Sequence, residues 1–225
     1  MNRVNKYKLA SETKTFGTHI VHRIVALKTF ADVKEGSFGG WVENEKNLSQ
    51  KDNCWIYDNA IALENAKIEG CARVAEEAIV SGNAAVFGNA IVSQLAKITG
   101  NAHVFGAARV WGHSTISEDA KIAGNVYGDA VVQGDACVFA NAKIGHNAML
   151  KSNNDLLCIG PIGSRDDLLT MYRTKELKIN IVCGCFFGTL DQFQNAIFTG
   201  HGSNQYANEY NTAIQLALLQ LNNRR

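Results

Sequence analysis

The sequence predicts a mainly β protein built on a single-stranded β-helix, with a β-rich N-terminal cap and a small α+β domain after it. Three observations carry this reading. A six-residue motif, Asn/Asp-Ala-x-Val/Ile-x-Gly, recurs from residue 54 to residue 150. Glycine is abundant, at 20 residues, whereas proline occurs once, at Pro161, a balance that suits many tight turns without stiff linkers. Outside the repeat the period is lost and the hydrophobic patterns become those of ordinary strands and helices.

Residues 1–53 form the first unit. Strands are expected around residues 6–16 and 19–30, with turn chemistry at Lys34-Glu35-Gly36 and at Gly39-Gly40. Their role is to cover the first coil, because a bare solenoid end leaves a strand edge and an open core in water.

Residues 54–152 form the second unit. A six-residue period fits neither a helix nor a hairpin, but it does fit a short strand plus a corner, three of which close one triangular coil. The aliphatic slot is filled by Val74, Val80, Val86, Val92, Ile98, Val104 and their successors, and Ala62 is its one weak member. An alanine two residues earlier points inward with it, because side chains alternate along a strand. Gly, Asn and Asp make the corners, where left-handed backbone is needed. The spacing breaks once, in GNVYGDA, where two residues are missing and the alanine slot passes from Ala120 to Ala130. A shortened corner or a bulge is expected there, and the outward row Arg73, Ile91, Arg109 is expected to lose its next member.

Residues 153–225 form the third unit. Apolar runs near 156–162, 168–173 and 179–187 read as strands. Thr189 and Gln192 then make a capping-box pair ahead of a helix that stops at Gly200, and a second helix starts near Asn204. Cys183-Gly184-Cys185 places two thiols on one strand face, where small buried hydrophobes are expected.

The repeat from residue 54 to residue 150 resembles the hexapeptide-repeat, left-handed β-helix superfamily, which includes many trimeric acyltransferases. The left-handed turn is an implication of that resemblance; the period alone sets no hand. The opening segment, with FADVKEGSFGGWVENEKNLSQKDNCWIYDNA, resembles the YdcK-like branch of that superfamily. The GTLDQFQNAI and HGSNQYANEY segments are similar to the C-terminal parts of phage-borne proteins.

Composition narrows the partners. With 22 Lys and Arg against 21 Asp and Glu, the formal charge is +1, which argues against a nucleic-acid-coating protein, so no DNA partner is expected. The polar first residues and the absence of a long apolar run predict a cytoplasmic protein without a membrane partner. Six cysteines (Cys54, Cys71, Cys137, Cys158, Cys183 and Cys185) show no CxxC pair and no histidine pair at ligand spacing, so reduced thiols and no metal are expected.

Residues 18 apart stack on one face of the solenoid. One face then carries Phe87, Phe105 and Phe139 beside Lys67, His103 and Lys121. A second carries Arg73, Arg109 and Lys143 beside Trp111 and Tyr127. The third presents Ile61, Ile79, Val131 and Met149. An outward phenylalanine row points to a contact surface, and with the superfamily's habit to a homo-oligomer, a trimer above others. Arg109, Trp111, Lys121, Tyr127 and Lys143 are the candidate ligand-binding residues, suited by cation–π contact and stacking to a small anionic ligand such as a nucleotide. The expected function is a non-catalytic binding or scaffold protein without a cofactor. The alternative implied by the resemblance is an acyltransferase using acetyl-CoA or another acyl-CoA, with His103 as catalytic base, because it alone of the six histidines lies mid-strand and outward.

Overall fold

The chain is described by a computed structural model covering residues 5–223. The repeat folds as a left-handed parallel β-solenoid of about six coils, followed by an α+β part. Each hexapeptide supplies a two-residue strand, and the strands stack into three parallel sheets that form the walls of a triangular prism. The first wall stacks Ile61, Ile79, Lys97, Thr115, Val131 and Met149 in register. The second stacks Trp55, Arg73, Ile91, Arg109, Asn125 and Lys143. The third stacks Lys67, Ala85, His103, Lys121 and Cys137. Main-chain hydrogen bonds join successive coils, as from the Lys67 amide to the Ala84 carbonyl at 2.9 Å and from the His103 amide to the Ala120 carbonyl at 2.9 Å. The alanine and aliphatic slots from Ala66 to Leu150 are wholly buried in one continuous core.

The missing dipeptide corrects the expected broken row. Both residues are lost from one corner, which shrinks to Ala123 and Gly124, and the strand Asn125–Val126 keeps its place. Gly124 takes the buried slot that Ala108 and Ala142 fill in neighbouring coils. Asn125 therefore continues the row between Arg109 and Lys143. The phenylalanine row is the one that changes: Ala123 stands between Phe105 and Phe139.

The N-terminal strands β1 (Tyr7–Phe16), β2 (His19–Ala26) and β3 (Phe38–Val42) extend the first wall, β1 and β2 as an antiparallel hairpin and β3 parallel to Ile61–Ala62. Tyr7, Ile24, Val42 and Leu48 close the upper end of the solenoid core. Lys6 is buried there because its ammonium donates to the carbonyls of Cys54, at 2.8 Å, and Lys51, at 3.1 Å. Burial lowers its pKa all the same.

After the solenoid come four antiparallel strands, Leu156–Ile162, Asp167–Arg173, Ile179–Cys183 and Phe186–Thr189. Two helices follow, α1 (Leu190–His201) and α2 (Gln205–Asn223). The sheet is buried on both faces, as period-2 alternation allows. Leu156, Tyr172 and Val182 join the solenoid core, while Leu169, Met171, Ile179 and Ile181 pack with Phe193, Ile197 and Ile214 of the helices. The Thr189–Gln192 capping box is present, and α1 ends at Gly202 rather than Gly200 because the Gly202 amide reaches the Phe198 carbonyl. Two further expectations are corrected. The third apolar run is a hairpin, and Gly184-Cys185 is its turn, so Cys183 is buried and Cys185 exposed. His201 is the last residue of α1.

Candidate functional site

The second wall is where cationic and aromatic side chains meet. Its outward positions alternate between two columns, one at Trp55, Arg73, Ile91, Arg109, Asn125 and Lys143 and one two residues later at Tyr57, Ser93, Trp111 and Tyr127. Near the N-terminal end the charge is already matched. Arg73 pairs with Asp32 at 3.2 Å, and the Tyr57 hydroxyl donates to the same carboxylate at 3.0 Å. Lower down the balance differs. Among the described residues, Arg109 and Lys143 have no ion pair, and both are exposed.

Trp111 and Tyr127 stack on each other with ring centres 4.9 Å apart and planes 13° apart. Gly145 makes this arrangement possible, since a Cβ there would meet the Tyr127 ring at 2.2 Å. Burial raises the Tyr127 pKa, so its hydroxyl stays protonated at neutral pH. The ladder continues through His146, edge-on to Tyr127 at 5.7 Å, to Phe187, stacked on His146 at 3.9 Å. A cleft of about 220 Å³ opens beside Trp111, lined by Ile91, Ser93 and Arg109. Unmatched cations beside stacked rings favour a planar anion: the rings give it a face and the cations its charge.

The sequence-derived residues are thus divided. Arg109, Trp111, Tyr127 and Lys143 share the second wall. Lys121 lies on the third wall, in register with His103 and Cys137. His103 is exposed, edge-on to Phe87 at 6.0 Å, and no hydrogen bond to its ring occurs among the described residues. Phe87 and Phe105 stack at 5.6 Å and are half-buried, and Phe139 is exposed. Asn125, His146 and Phe187 are the additions. Asn125 was readable once the deletion is assigned to the corner; the His146–Phe187 contact joins residues 41 apart and left no local signal. Among the described residues no three His, Cys, Asp or Glu side chains converge as a metal site requires, and no helix is long and apolar enough to cross a membrane.

No protein-family model matches the chain. A stretch of 88 residues is 39% identical to the Uncharacterized acetyltransferase YdcK of Escherichia coli (strain K12). With the three stacked walls, that match decides the architecture. The chain carries a hexapeptide-repeat β-helix. The matched stretch amounts to 35% of this chain and 27% of the relative, so the chain spans about a quarter of the length of the protein it matches. The likeness extends the hexapeptide-repeat assignment to a transferase-like relative and no further.

Proposed function

We propose that this β-helix is a non-catalytic binding protein for a planar anionic ligand of the nucleotide class, held on the second wall. The observation that supports it is the stacked Trp111–Tyr127 pair between two cations, Arg109 and Lys143, that have no ion pair among the described residues. Arg109 and Lys143 would hold phosphate charge while Trp111 covers a base. Lys121, on the neighbouring wall, would act on the ligand only across the shortened corner. The phenylalanine positions of the third wall suit self-assembly, as a trimer above other sizes, and light scattering should return three times the 24.5 kDa chain mass.

Titration with ATP, followed by calorimetry, tests the binding. Trp111→Ala should weaken it about tenfold, in line with the 1–3 kcal/mol that base–aromatic stacking contributes. Arg109→Ala should weaken it and flatten its salt dependence. Binding that is absent in the wild type, or unaltered in both variants, overturns the proposal.

A second reading rests on the acetyltransferase name of the relative. In that case acetyl-CoA would be the ligand, and His103 would take a proton from the attacking hydroxyl or amine. Thiol release from acetyl-CoA with a panel of amino sugars decides between them. Turnover that vanishes in His103→Ala establishes the enzyme, and binding without turnover favours the binding protein.

A further inference from the structure

The C-terminal domain holds three thiols, Cys158, Cys183 and Cys185, and the last two lie at one tight turn. The strands Ile179–Cys183 and Phe186–Thr189 pair Cys183 with Phe186, leaving Gly184-Cys185 as a two-residue turn. Gly184 has φ +56°, and Cys185 is not in the left-handed region, the pattern of a II′ turn with glycine first. The positive φ favours glycine at 184, and a Cβ there would meet Asp167 Oδ2 at 2.6 Å, so that carboxylate would have to swing aside for any other residue. In a reversal this tight, residues two apart bring their Cα atoms to about 5–6 Å, inside the range that a disulfide bridges.

Both thiols open on one cleft of about 250 Å³, lined also by Arg165, Asp167, Phe193 and His201. Cys183 is 9% exposed, with its sulfur 3.9 Å from the Tyr210 hydroxyl, whereas Cys185 is exposed. Burial pushes the Cys183 thiol up, so Cys185 is the group that meets a reagent first. The lining of the cleft includes one arginine, Arg165, and one aspartate, Asp167.

We propose that Cys183 and Cys185 form a thiol–disulfide exchange site, and that its co-substrate is a small amino-acid-derived disulfide of the glutathione class. The carboxylate of such a molecule suits Arg165 and its ammonium suits Asp167. The Cys185 thiolate attacks one sulfur of the small disulfide, forming a mixed disulfide and expelling the other half as a thiolate, which takes up a proton. Cys183 then loses its proton and attacks the Cys185 sulfur, releasing the second small thiol. Two protein thiols are oxidised to one disulfide, and one small disulfide is reduced to two thiols.

Cys71 provides an internal control, being an exposed thiol on the solenoid, far in sequence from the hairpin. The full-length protein is treated with oxidised glutathione, quenched with acid and mapped by mass spectrometry. The 183–185 peptide should lose two hydrogens while Cys71 carries a persistent mixed disulfide. Cys183→Ser and Cys183→Ala should trap the adduct on Cys185, and Cys185→Ser should leave Cys183 unmodified. A lasting adduct on wild-type Cys185, or reaction there no faster than at Cys71, overturns the exchange site. The rate with oxidised glutathione relative to uncharged hydroxyethyl disulfide should fall several-fold in Arg165→Ala, and an unchanged ratio overturns the assigned co-substrate class.

Discussion

At the scale of single residues, the shortened corner shows what the hexapeptide can lose. Gly124 replaces the usual alanine because the chain now turns in two residues and brings its backbone against the next coil. A Cβ at 124 would meet the Phe139 carbonyl oxygen at 2.4 Å and that of Ala142 at 2.7 Å. Both obstacles are backbone and cannot swing aside. At Gly106, by contrast, nothing lies within 4 Å, although its φ is +67°. Gly106→Ala should therefore cost only the left-handed strain of about 1–2 kcal/mol, and Gly124→Ala should lower the midpoint of thermal unfolding further; equal shifts would contradict the packing argument. Tyr57 gives a pH dependence. Burial, then its bond to Asp32, raises its pKa from 10.0 to about 12. The unfolded chain thus loses this proton first as pH rises, so stability is intact below pH 10 and declines between 10 and about 12. Tyr57→Phe should flatten that decline in melting curves taken across the window.

At the scale of elements, register decides what the sequence could reveal. The core slots were legible because each repeats its own chemistry at a fixed spacing, and the wall compositions followed from a stack of 18. The row beyond Arg109 was not, because a two-residue gap reads equally well as loss from a strand or from a corner. Only main-chain pairing of Asn125 with Arg109 and Lys143 separates the two. The walls predict a further result. Inserting Gly-Asn between Ala123 and Gly124 rebuilds an ordinary corner without moving any strand, so the midpoint should shift by no more than a few degrees. A single glycine placed between Asn125 and Val126 instead reverses which side chains face the core and should unfold the lower coils. Circular dichroism melts of the two insertions measure this, and similar loss in both would show that the register is not what holds the coils.

At the scale of the whole molecule, the solenoid ends where its core is covered, not where its repeat stops. The period ends at Leu150, which suggests a separable C-terminal unit, yet Leu156, Tyr172 and Val182 belong to the same buried core as Val138 and Ile144. Sequence could not show this, because alternate residues of the strand Asp167–Arg173 serve two cores, Tyr172 facing the solenoid and Met171 the helices. The Tyr172 hydroxyl also reaches the last coil, donating to the Gly145 carbonyl at 3.3 Å. A chain ending at Ser152 would therefore expose the lowest alanine and aliphatic slots and an open parallel strand edge together, the condition under which solenoids aggregate. We expect that truncation to be insoluble or to bind a hydrophobic dye, and Val182→Asp in the full chain, with a charge at the shared core, to melt well below the wild type. A soluble truncation melting at the wild-type temperature would mean that the last coil closes itself. The ladder from Trp111 through Tyr127 and His146 to Phe187 crosses the same boundary, so whatever loosens the C-terminal sheet should also loosen the second wall. Val182→Asp should consequently weaken ATP binding, acting through Phe187, its partner across the C-terminal sheet.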